Sequence, residues 1–81
     1  MENTTRYHAG AMYNGNPYCV DRNYEIKDWT HSDPMEYTTA KDAVKDAVRM
    51  LNDGADSAYV VCTTYNADGE IVDSVAKDVT L

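Results

Sequence analysis

The residues that could do chemistry gather in one short run, "RYHAGAMYNGNPYCVDRNY", at positions 6–24. Within it Asn14-Gly15 is the strongest short hairpin signal, because both residues tolerate positive φ. A two-residue turn there sets His8 opposite Asp21, with Cys19 diagonal to His8 on the same face. A thiol nucleophile needs a base to draw off its proton, and the base needs an acid to orient it. His8, Cys19 and Asp21 are those residue types. Their setting argues against that use. Neither a helix N-terminus nor a glycine-rich oxyanion loop adjoins Cys19, and a flat hairpin offers no cleft. A His8–Asp21 cross-strand pair that steadies the sheet by ~0.2–1 kcal/mol is the simpler expectation.

Metal chemistry fares no better. His8, Cys19 and Asp21, with His31 or Asp33, lack the close paired spacings of zinc ligands. "NADGE" at 66–70 shares a turn with calcium loops. No acidic ladder precedes Asp68, however, and Glu70 follows Gly69 at once, so a β-turn is expected there. The four glycines, at 10, 15, 54 and 69, form no phosphate-cradling loop. GxSxG, HExxH and CxxC are absent from the sequence. The expectation is a non-enzyme with no catalytic residues, no metal ligands and no cofactor.

The elements that position these residues are read from periodicity. In "TTAKDAVKDAVRMLNDG", Ala40, Ala43, Val44, Ala47, Val48 and Leu51 recur at three- and four-residue spacing, the apolar stripe of an amphipathic helix. Thr39 suits the N-cap, Asp42 favours the helix start, and Gly54 supplies a left-handed ending. Arg6–Tyr13 and Tyr18–Ile26 read as strands around "NGNP", and "SAYVVCTTY" and "EIVDSVAKDVTL" as two more around "NADG". The fold class is therefore α+β, of order β-β-α-β-β. It is an antiparallel sheet of two hairpins with one amphipathic helix on one face, and residues 1–81 make a single small domain. Tyr7, Ala9, Ala11 and Tyr13 share a face with Tyr18, Val20, Tyr24 and Ile26; His8, Gly10 and Met12 share the other with Cys19, Asp21 and Asn23. Which alternate set of the third strand faces the helix stays open, as does a Cys19–Cys62 bridge if their strands are neighbours. Reduced thiols are the default for two cysteines outside a redox motif. One helix ~20 Å long cannot cover both faces of such a sheet, so one face is solvated or covered by a partner.

Fourteen acids against seven bases give a net charge of −7. The excess is concentrated: residues 50–81 carry Asp53, Asp56, Asp68, Glu70, Asp73 and Asp78 against Lys77 alone. Such a segment repels nucleic-acid phosphates and attracts basic protein surfaces. No run approaches the ~20 apolar residues of a membrane helix, and "MENTTRYHAG" carries no apolar stretch behind a basic start. A cytoplasmic protein without direct nucleic-acid or membrane contact is expected. Seven tyrosines and no phenylalanine suit surfaces that are apolar at one end and wet at the other. In size, acidity and architecture the chain resembles small acidic inhibitors encoded by phages and mobile elements, without a motif that assigns it to a family. The function expected is binding to a protein partner with a basic surface, through Asp68, Glu70, Asp73 and Asp78 with Tyr65 beside them. The alternative is a structural module that assembles as a homodimer through a Tyr-rich sheet face.

Overall fold

Asn14 (φ 52°) and Gly15 (φ 85°) both take left-handed backbone. They close β1 (Thr4–Tyr13) onto β2 (Asn16–Val20) in the expected two-residue register, from Tyr13–Asn16 to Gly10–Cys19. The computed structural model describes residues 3–80. After β2 come β3 (Ile26–Asp28), α1 (Ala40–Asn52), β4 (Ser57–Tyr65) and β5 (Ile71–Val79). All strands join one antiparallel sheet of order β3-β2-β1-β4-β5. The architecture is α+β, with a single helix between the two halves of the sheet.

The expected strand Tyr18–Ile26 is two strands instead. The Asp21 carboxylate accepts from the backbone N–H groups of Asn23 and Glu25, each at 2.9 Å, and Tyr24 turns left-handed at φ 62°. This side-chain-driven turn reverses the chain after Val20, so Ile26–Asp28 returns alongside β2 as an extra edge strand. The last strand was expected over Glu70–Leu81; β5 spans Ile71–Val79, and Leu81 lies outside the described residues.

The helix caps follow the sequence. Thr39 Oγ1 accepts from the Asp42 N–H at 3.3 Å, and Gly54 ends the helix at φ 107°. The Ala55 N–H then bonds back to the Met50 carbonyl at 3.1 Å. The buried stripe, however, is rotated from the expected one. Ala43, Ala47 and Met50 are fully enclosed, while Ala40 is exposed and Val44 is 38% exposed. The helix methyls of Ala43 and Ala47 join the sheet methyls of Ala9, Ala11 and Ala58 in one core with Val20, Val60 and Tyr37. Side chains this short let helix and sheet approach closely, and Met50 fills the space left at the end of the contact. On the polar side of the helix, Asp46 accepts from the Tyr37 hydroxyl, and Arg49 donates to the Tyr24 carbonyl at 2.8 Å.

The register settles the second hairpin. Ala58 and Val60 lie beside Ala11 and Ala9 and face α1, and a bulge at Thr64/Tyr65 interrupts the pairing with β5. The opposite face is covered at its centre by the chain's own loop. Asp28 caps the short turn Trp29–His31 by accepting from the Thr30 N–H and hydroxyl at 2.9 and 2.7 Å. These bonds hold its carboxyl below the usual carboxylate range. Trp29 thereby lies across Gly10 and stacks on Tyr59 with ring centroids 6.1 Å apart.

Candidate functional site

The three residues that could do nucleophilic chemistry are kept apart. Pairing of β1 with β2 stops at Gly10–Cys19. Beyond it the segment around Pro34–Tyr37 inserts between the diverging strands, pairing Tyr37 with Tyr7 and Pro34 with Asp21. The Met35 N–H bonds to the Val20 carbonyl at 2.9 Å. His8 is therefore not opposed by Asp21. Its Nδ1 faces the Met35 carbonyl at 3.1 Å, its ring meets the edge of Trp29, and it is 9% exposed. Asp21 is engaged in its own turn. Cys19 is completely enclosed. Burial first, then the nearby carboxylates of Asp21, Asp28 and Asp33, push its thiol up to about 11. At neutral pH it stays protonated, the opposite of an activated thiolate.

Cys62 occupies a different environment. It pairs with Tyr7 and so lies on the helix side of the sheet, whereas Cys19 pairs with Gly10 and lies on the Trp29 side. With β1 between their strands and opposite faces to their side chains, the two cannot form a disulfide, and both are free. Alkylation of the native protein is expected to modify Cys62 and spare Cys19 until denaturant is added, read by mass spectrometry of the labelled peptides. Equal native labelling would show that Trp29 does not close over the sheet. Among the described residues, no three His, Cys, Asp or Glu side chains come together to hold a metal ion. "NADGE" is a turn: the Asn66 side-chain carbonyl accepts from the Asp68 and Glu70 N–H groups at 2.9 and 3.0 Å, and Gly69 is left-handed at φ 84°.

The acidic surface is placed on and around the β4–β5 ribbon but is not brought to one spot. Tyr65 lies at the hairpin end beside Arg6 and Glu36, and Asp68 and Glu70 follow it in the adjoining turn. Asp73 opposes Thr64 and points to the helix side. Asp78 opposes Tyr59 at the far end of the ribbon and points to the other side. Asp53 and Asp56 have structural work: Asp53 accepts from the Tyr13 hydroxyl at 3.0 Å and Asp56 from the Asn14 N–H at 2.8 Å. Burial and the bond to Asp53 push the Tyr13 hydroxyl up to about 12.

Sequence reasoning did not single out the apolar part of this ribbon. Every residue of β5 except Val79 is exposed. Ile71, Val72 and Val75 are 63%, 52% and 48% exposed, because α1 lies over β1 and β4 and barely reaches β5. Between α1 and the ribbon runs an apolar groove of about 450 Å³, lined by Tyr7, Ala40, Val44, Cys62, Val75 and Val79 among others. Tyrosine supplies little of this surface: Tyr37 is buried, Tyr59 is stacked under Trp29, and Tyr24 is the large exposed one. Among the described residues no helix is long and apolar enough to cross a membrane. Comparison of the chain with protein-family models, with curated proteins and with solved structures finds no match, so its function is argued from its own residues.

Proposed function

We propose that this chain is a small, non-enzymatic protein-binding module that acts in the cytoplasm by covering a basic surface of a partner protein, of the kind that nucleic-acid-binding proteins present. The observation that carries the reading is β5. It exposes three branched aliphatic side chains on an edge strand within the most acidic third of the sequence. Exposed edges and clustered apolar side chains mark contact surfaces. The surrounding acids select basic partners and speed the encounter. Asp68, Glu70, Asp73 and Asp78 supply the attraction, and Tyr65 with the β5 aliphatics supplies the packing. This fits the small acidic inhibitors that phages and mobile elements encode.

Steered association weakens as salt screens it over a Debye length of about 8–10 Å. A tagged chain is therefore expected to capture a nucleic-acid-binding protein from lysate at low salt and release it at high salt. The captured protein, once purified, should lose its own nucleic acid when the chain is added. Asp68→Lys with Glu70→Lys should abolish both effects while leaving the circular dichroism unchanged. Capture that ignores salt and both substitutions would reject the reading. The open β5 edge also favours a structural module that pairs with a copy of itself.

A further inference from the structure

We propose that β5 pairs antiparallel with β5 of a second copy about a two-fold axis at Val75, joining the two sheets into one. The inference rests on the self-pairing reading above, and a second copy on the β5 edge excludes a different protein partner from that same edge. It starts from the direction of the backbone groups. Tyr7 exchanges both of its backbone hydrogen bonds with Tyr37, at 2.9 and 2.8 Å, and so turns them away from β4. These directions alternate along antiparallel strands. His8 and Gly10 must then bond to Val61 and Tyr59 of β4, while Val60 and Cys62 bond outward to Lys77 and Val75 of β5. The backbone groups of Ser74, Ala76 and Asp78 are left pointing to the free edge.

The residues along that edge read Asp73-Ser74-Val75-Ala76-Lys77. Turned antiparallel about Val75, this stretch is complementary to itself. Val75 meets Val75 of the second copy in the close, non-hydrogen-bonded kind of pair. Asp73 meets Lys77 and Lys77 meets Asp73, while Ser74 and Ala76 exchange the outward backbone bonds. Asp73, Val75 and Lys77 share the helix side of the sheet, by their register with Thr64, Cys62 and Val60. The two ion pairs therefore flank the central valines on one face, as favourable cross-strand pairs do. Lys77 is the only base in residues 50–81, and this register gives it an acid on the partner strand. The second copy also walls the open side of the groove between α1 and the ribbon, whose lining includes Val75, Lys77 and Val79.

Two features make the assembly finite. The bulge at Thr64/Tyr65 ends the regular ladder before Ile71, which confines pairing to the stretch around Val75. The sheet's other edge, β3, is three residues long. A two-fold contact uses the same patch on both copies and so closes on itself.

Sedimentation of the purified chain over a range of concentrations, at moderate salt to screen the net repulsion, tests this directly. The unaltered chain is expected to show a reversible monomer–dimer equilibrium. Asp73→Lys and Lys77→Asp, each alone, should be monomeric because like charges then face each other. An equal mixture of the two should recover a dimer, since each strand now complements the other. Ala76→Pro removes an outward N–H that the fold does not use. It should abolish the dimer with the circular dichroism intact. A chain that is monomeric at every concentration overturns the proposal, as does a dimer unaffected by Ala76→Pro or a mixture that stays monomeric.

Discussion

Met50→Ala is expected to cost about 2–5 kcal/mol of stability, the largest loss from any single truncation of an apolar side chain in this molecule. Met50 is the largest fully buried side chain, and the residues around it are mostly too short to close over a void. Alanines dominate the contact between helix and sheet, at 9, 11, 43, 47 and 58, and a methyl group cannot extend into a neighbouring gap. The site therefore keeps its cavity, the condition under which truncation costs most. A chain of this length has roughly 4–12 kcal/mol of stability in total, so the variant stands near the limit of folding. Urea denaturation should show a much lower midpoint with an unchanged slope, and the melting temperature should fall by about 10 °C or more. Met50→Leu, which conserves volume, should stay within about 1.5 kcal/mol of the native chain. A loss below about 1 kcal/mol for Met50→Ala would mean that the helix does not rest on Met50.

The second large effect is expected on the other side of the sheet. A Cβ on Gly10 would lie 2.5 Å from Trp29 Cζ3 and 2.5 Å from Tyr59 Cε2, well inside contact distance. Gly10→Ala therefore has to displace an aromatic ring. Tyr59 is anchored on the interior strand β4, whereas Trp29 is held by a loop, so Trp29 is the ring that moves. Overpacking of this kind costs about 1–3 kcal/mol, and here it also uncovers Cys19. The expected result is a red-shifted tryptophan emission together with alkylation of Cys19 in the native state, while the helix signal in circular dichroism persists. Unchanged emission with Cys19 still protected would mean that the aromatic layer tolerates a methyl group and that the close approach at Gly10 has no structural role.

Gly10 also shows where the sequence was legible and where it was not. The Asn14-Gly15 turn, the Thr39 and Gly54 caps and the alternation of β1 follow from local chemistry, and they came out as expected. The break after Val20 is local as well: Asp21 followed by Arg22-Asn23 carries the signal of a side-chain-capped turn. There the alternation of apolar residues through Tyr24 and Ile26 suggested a continuous strand. The helix stripe was misjudged by a rotation, because alanine marks a close approach only when alanines also lie opposite it. That information sits in β1 and β4, far away in sequence. Trp29 on Gly10 is a contact of the same non-local kind. As for the candidate surface, its charge was readable residue by residue. Its split over two faces was readable as well, since Asp73 and Asp78 are five residues apart in one strand; which of them lies on the helix side was not, because that depends on the register of β5 against β4. The exposure of β5 follows from the seat of α1 over β1 and β4, which no window of the sequence contains.

The aromatic layer has an optical consequence. Trp29 is the only tryptophan in the chain, and it sits on the sheet face away from α1, stacked on Tyr59 and edge-on to His8. Its fluorescence therefore reports whether the loop is docked and is blind to the alanine-lined contact behind the sheet, while circular dichroism at helix wavelengths is weighted to α1. Both sides of the one sheet are covered at the centre, and only the side away from α1 carries a lamp.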